Sequence, residues 1–156
     1  MHEDSGLIAY ILIGLPGSGK STVRREIQDT GMMIISSDDY IETFAKVAGK
    51  TYNEVFEEAV GFAQTYVNKT FEECIENRTS FVWDQTNLTK KKRRSIMSRI
   101  PKVYKKVAVF VNTPLETCIY RNNLRQRSIP ENVIVNMSNQ LEVPSLDEGF
   151  DEVRIV

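Results

Sequence analysis

Apolar residues along this chain fall in blocks, with polar and glycine-rich breaks between them. Leu7 to Ile13 is apolar throughout, the pattern of a strand covered on both faces in a parallel sheet. A glycine-rich turn ends it. Ser21 to Gln28 reads as a helix closed by Gly31, and Met32 to Ser36 as a second buried strand that runs out into Ser37-Asp38-Asp39. Asp39 to Ala48 and Asn53 to Asn77 both read as helices, separated by Gly49-Lys50-Thr51. In the longer one, Val55, Phe56, Ala59, Phe62, Ala63, Tyr66, Val67, Thr70 and Phe71 recur at steps of three and four, which predicts a packed face.

Thr79 to Trp83 is a third strand that delivers Asp84 at its carboxyl end. Thr89 is placed to cap the next helix, which ends before Pro101. Lys102 to Val111 holds the fourth strand, strongest over Val107 to Val111, and Pro114 opens a helix to about Arg125. A final helix spans Pro130 to Leu141, Pro144 breaks it, and Val153 to Val156 offers a short last strand. Strands and helices in alternation predict one α/β domain over 1–156. Its sheet is doubly wound and mostly parallel, with four to five strands, and a helical lid follows the fourth.

Composition agrees with one core: 156 residues and 17.9 kDa, 41% hydrophobic and 26% charged. Cys74 and Cys118 stand 44 positions apart with no CxxC pair, and His2 is the one histidine. That excludes a zinc site and reads as two buried thiols in a reducing cytoplasm. The first apolar run is too short for a membrane span and follows an acidic stretch, so a membrane partner is not expected. Net charge is −1, yet it is unevenly spread. Residues 90–127 hold twelve Lys or Arg against Glu116 alone, whereas 38–76 hold nine acids against three lysines.

Gly14, Gly19, Lys20 and Ser21 satisfy G-x-x-x-x-G-K-[ST], with Pro16, Gly17 and Ser18 inside the loop and Thr22 after it. The flanking strand and helix are both in place. Such a loop turns backbone amides toward phosphate oxygens at a helix N-terminus, so Gly14 to Thr22 are expected to bind ATP. Lys20 would neutralise the β and γ phosphates and the Ser21 hydroxyl would ligate Mg²⁺. The motif leaves the acceptor open among water, a small metabolite and a nucleic acid.

In open α/β sheets ligands collect beyond the carboxyl ends of the strands, where Asp38 and Asp84 fall. Asp38 is expected to be the general base, with Asp39 capping the helix. Phe81-Val82-Trp83-Asp84 is open to a metal-linked or an acceptor-side role. Arg121 and Arg125, four apart on one helix face with Arg127 beyond, are expected to close over the triphosphate and stabilise the migrating phosphoryl group. The run Lys90 to Arg94 begins six residues after Asp84 and is expected to meet a phosphate-rich acceptor, unless it is simply a solvated face.

Taken in order, Gly14 to Thr22, Ser37-Asp38-Asp39-Tyr40, Asp84-Gln85-Thr86-Asn87-Leu88 and Arg121-Asn122-Asn123-Leu124-Arg125 resemble the 5′-kinase domain of bacteriophage-type polynucleotide kinases. The resemblance extends to Ile129-Pro130-Glu131, Glu142-Val143-Pro144 and Glu148-Gly149-Phe150-Asp151. It implies transfer from ATP to a 5′-hydroxyl of DNA or RNA. Asp38 would be the base, Asp84, Thr86 and Asn87 would lie on the acceptor side, and Arg121 and Arg125 in the lid. Two positions depart: Ile41 stands where that family carries an arginine, and Gln85 interrupts the Asp-Thr-Asn-Leu run. Other readings are a related kinase for another hydroxyl, such as a modified base, a nucleoside, an RNA-linked group or a sugar nucleotide, and a nucleotide-binding regulatory or toxin-like module.

Overall fold

In the computed structural model, residues 6–29, 31–125 and 129–156 are described. The elements in chain order are β1 (Ile8–Ile13), α1 (Lys20–Ile27), β2 (Met33–Ile35), α2 (Ser37–Ala48), α3 (Tyr52–Asn77), β3 (Phe81–Trp83), α4 (Lys90–Met97), β4 (Lys105–Phe110), α5 (Leu115–Asn123), α6 (Glu131–Gln140) and β5 (Glu152–Ile155), with one 3-10 turn at Leu146–Glu148. Five parallel strands lie in the order β2-β3-β1-β4-β5.

Register decides what lies beside what. Ile11 is opposite Trp83 across β1 and β3, so β1 runs only two residues past the end of its neighbour. The loops after Ile13 and Trp83 therefore emerge side by side, and the Gly14 amide donates to the Thr86 carbonyl at 3.1 Å.

Both faces of the sheet are covered, which explains why β1 is apolar at every position. Ala9, Ile11, Ile13, Phe81 and Trp83 pack against Val67, Phe71 and Cys74 of α3 and Ile96 and Met97 of α4. Tyr10, Leu12, Val82, Val107 and Val109 meet Val23 and Ile27 of α1 on the other face. Phe71 alone, burying most of its side chain, contributes about 1.5–3 kcal/mol.

Helix α3 differs from its expected face. Its buried stripe is Val55, Ala59, Ala63, Val67, Thr70, Phe71 and Cys74. Ala59 and Ala63 are small enough to let Ile41 and Ala45 of α2 approach closely. Phe56, Phe62 and Tyr66 stand outside the stripe at 41%, 58% and 41% exposure. Tyr66 still meets the Tyr40 ring of α2 at 5.1 Å between centroids, whereas Phe56 and Phe62 lie beyond the stripe that the sheet and α2 cover.

The capping of α2 also differs. Ser36 is the N-cap, and its hydroxyl accepts from the Asp39 amide at 3.2 Å. That frees both aspartates of the first turn for other partners. Thr89 caps α4 as expected. Helix α5 ends at Asn123, so Arg125 lies past the helix and not on its face, and Arg127 lies outside the described residues.

Candidate active site

The loop between β1 and α1 is shaped by backbone constraints. Gly17 has φ 80°, and a Cβ there would come within 2.5 Å of the Cys118 carbonyl oxygen, so no side chain fits. Beneath the loop the Ser18 hydroxyl is buried without a partner among the described residues. From α5, Arg121 Nη1 donates to the carbonyls of Gly17 (3.4 Å) and Ser18 (3.3 Å), which lays its guanidinium along the loop. A cradle of amides with an arginine over it suits a polyphosphate.

Lys20, at the start of α1, donates from Nζ to the Gly14 and Leu15 carbonyls at 2.9 and 3.1 Å. Burial pushes its ammonium below the ordinary lysine value, while Asp84 and Asp38 pull the other way and Arg125 adds to the lowering. Both carboxylates thus act electrostatically on the lysine across one open cleft of about 1750 Å³. Gly17, Ser18, Gly19, Ser21, Thr22, Asp38, Asp84, Thr86, Arg121 and Arg125 all line that cleft.

A residue that sequence reasoning missed sits at its floor. Arg24 Nη1 bonds Asp39 Oδ2 at 3.0 Å and Asp84 Oδ2 at 2.9 Å. Burial disfavours its charge, but the two aspartates outweigh this and raise its pKa. For Asp84, burial dominates and pushes the carboxyl up, against the pull of Lys20 and Arg24. Arg24 follows Lys20 by one helical turn, so the spacing was visible. Its partners, 15 and 60 residues away, were not.

The other sequence-selected residues divide between exposed groups and internal braces. Asp38 is exposed and accepts from the Tyr52 hydroxyl at 2.6 Å. Thr86 offers its carbonyl to Gly14. Asn87, expected on the acceptor side, lines the cleft but is 1% exposed with φ 47°. Its amide donates to the Leu12 carbonyl at 2.7 Å, so it braces the β3–α4 loop against β1. Asn122 is likewise internal, exchanging hydrogen bonds with the Ile129 backbone at 2.6 and 3.0 Å.

The basic run is not uniform. Arg93 is fully buried, bonding Glu148 at 2.7 and 3.0 Å and the Asn87 and Leu88 carbonyls at 2.9 and 3.0 Å. It is a structural ion pair, not part of a solvent-facing patch. Lys90, Lys91, Lys92 and Arg94 remain exposed, and Lys92 lines the cleft. Ile41 is buried in the α2–α3 core.

Residues 10–144 match the model of an AAA domain family. The chain belongs to that family. It is 29% identical over 148 residues to an L-seryl-tRNA(Sec) kinase of Methanococcus maripaludis, covering 90% of this chain and 55% of the relative, so it spans about half that protein's length. The fold resembles a kinase-like protein from Chloroflexus aurantiacus, with TM-score 0.70, 14% identity, and 99% and 86% of the two chains covered. It also resembles a chain of the Pnkp1/Rnl/Hen1 RNA repair complex, with TM-score 0.66, 22% identity, and 93% and 46% covered. The AAA domain here therefore has a P-loop kinase-like fold. No described helix is long and apolar enough to cross a membrane.

The donor set also fits Mg²⁺. The described residues hold no cluster of three His, Cys, Asp or Glu that could cage an ion. Mg²⁺ beside a nucleotide needs only one or two protein oxygens and takes the rest from phosphate and water. The exposed Ser21 hydroxyl in the first turn of α1 is such an oxygen.

Proposed function

We propose that this domain transfers the γ-phosphoryl group of ATP to a hydroxyl of a nucleic acid, namely the 5′-hydroxyl of DNA or RNA. The observation that carries the reading is Asp38: an exposed carboxylate at the cleft wall, acting electrostatically on the P-loop lysine and held by a tyrosine hydroxyl. A module that only binds nucleotide has no use for a carboxylate there. Support for the acceptor comes from the ordered resemblance to bacteriophage-type polynucleotide kinases and from the fold likeness to the RNA repair complex.

In the proposed reaction the acceptor oxygen attacks the γ phosphorus as the bond to the β–γ bridging oxygen breaks, releasing ADP, and Asp38 takes the hydroxyl proton. Gly14 to Thr22 hold the triphosphate. Lys20, Arg121 and Arg125 balance the charge that spreads over the migrating group. Ser21 would hold Mg²⁺, which would neutralise the β and γ oxygens when bound.

A second reading, a hydroxyl on a tRNA-linked group, draws on the 29% likeness to the archaeal seryl-tRNA(Sec) kinase. The two separate in one assay. The protein is incubated with γ-labelled ATP, Mg²⁺ and, in separate tubes, 5′-hydroxyl DNA, 5′-hydroxyl RNA, seryl-tRNA, nucleosides and hydroxymethylated DNA. Label on a 5′-hydroxyl polymer is the expected result. Label on another acceptor alone sinks the leading reading.

A further inference from the structure

Phe56 stands 41% exposed on α3, off the helix's buried stripe, and lines the cleft. Its ring centroid is 5.8 Å from that of Tyr52, tilted by 37°. Tyr52 in turn donates its hydroxyl to Asp38 Oδ1 at 2.6 Å. An aromatic surface therefore runs directly from the carboxylate proposed to take the acceptor's proton, and no core contact accounts for its open end.

The surrounding charge narrows the occupant. Glu42, Glu54 and Glu57 are exposed on the same wall and line the cleft with Phe56. Such a wall repels phosphates but accepts a neutral ring. Across the cleft Lys92 begins the exposed cationic surface of α4. A nucleotide chain seated here puts its base on α3 and its phosphates toward α4.

Resting on the phosphoryl-transfer reading, we infer that the first two turns of α3 form the seat of the acceptor's terminal nucleobase. Phe56 stacks on the base, and Tyr52 positions the Asp38 carboxylate beside the hydroxyl. Stacking on a protein aromatic strengthens binding of a base about 5- to 100-fold and tolerates any base, because each has a π-face. The seat therefore selects a planar ring over a sugar or polyol without fixing sequence.

Steady-state kinetics on a 5′-hydroxyl oligonucleotide separates the two roles. Phe56→Ala is expected to raise the acceptor KM about 5- to 100-fold with kcat and the ATP KM held. Phe56→Tyr and Phe56→Trp are expected to restore it. Phe56→Leu keeps apolar bulk without a ring face, so it guards against a folding defect and is expected to behave as the alanine variant. Tyr52→Phe is expected to lower kcat with the acceptor KM held. Phe62→Ala, exposed on α3 outside the cleft wall, is expected to change nothing.

A readout independent of turnover uses an oligonucleotide with 2-aminopurine at its 5′ end. Its fluorescence is expected to quench on binding to the unaltered protein and not to Phe56→Leu. Quenching without transfer would fail the phosphoryl-transfer reading alone, whereas transfer without quenching would overturn the seat. An unchanged acceptor KM in both Phe56→Ala and Phe56→Leu would overturn it as well.

Discussion

The two walls of the cleft are built on different principles. The wall proposed to hold ATP, the donor wall, is mainly backbone, namely the loop after β1 with a glycine whose Cβ would strike the Cys118 carbonyl, and an arginine side chain from α5 lies along it. The wall proposed to meet the acceptor, the acceptor wall, is made of side chains on α2 and α3, with Asp38 and Phe56 exposed and Tyr52 between them. Backbone geometry admits few replacements, whereas side chains on a helical hairpin can change without disturbing the sheet. Under the proposed reaction, the first wall tolerates little change and the second is where acceptor choice can vary.

That contrast can be broken most sharply by substitutions that strike one wall. Lys20→Ala is expected to remove ATP binding and transfer together, for every acceptor, because it subtracts charge from the donor side. Nucleotide titration and a labelled-transfer assay on the same preparation check it. Asp38→Asn is expected to reduce transfer by about 10²- to 10⁴-fold while nucleotide affinity stays near the parent value. Loss of both in Asp38→Asn would mean that the walls are not separable.

Glu148→Gln tests the brace beneath the β3–α4 loop. It leaves the Arg93 guanidinium buried without its charge partner, and a loss of about 3–5 kcal/mol is expected, read by denaturant unfolding. The pH dependence follows from the shift. Burial alone would raise the Glu148 carboxyl, but hydrogen bonds from Arg93 and from the Ser145 amide outweigh it and hold the pKa below the ordinary value of 4.5. A depressed carboxylate adds stability that is fully present above 4.5 and is lost as pH falls through the lower folded value. The variant should therefore lose acid sensitivity below pH 4.5 relative to the parent.

The smallest effect is expected from neutralising Lys90, Lys91, Lys92 and Arg94 together while keeping Arg93. Polymer acceptors should weaken more than mononucleotides, and the salt dependence of the polymer KM should flatten. Equal weakening of both would make the run a solvated face.

The sequence made the donor wall legible because the phosphate loop is a local backbone motif, with the unbroken apolar run of β1 before it and the helical pattern of α1 after it. The succession of strands and helices along the chain was legible from equally local patterns. What escaped depends on contacts far apart in the chain. Arg24 reaches partners 15 and 60 residues away. Arg93 looks like its lysine neighbours until Glu148, 55 residues on, folds over it. The aromatics of α3 carry helical spacing without showing which edge α2 would cover, so Phe56 was read as core. Ser36, Asp38 and Asp39 are near-equal N-cap candidates, so the sequence alone does not say which of them starts α2. Asn87 has a polar side chain, but its left-handed backbone turns the amide inward.

A seam ties β1 and its phosphate loop to the β3–α4 loop: the Gly14 amide on the Thr86 carbonyl, beside the Asn87 amide on Leu12. Under the proposed reaction, water competes for every phosphoryl group that the acceptor fails to meet in line. A change at this seam would misplace donor against acceptor while leaving each bound. Its signature would be waste: Asn87→Ala is expected to release more ADP than it makes phosphorylated acceptor, a ratio that a paired measurement of the two products reads directly. Economy of ATP in this domain would then rest on two hydrogen bonds between neighbouring loops.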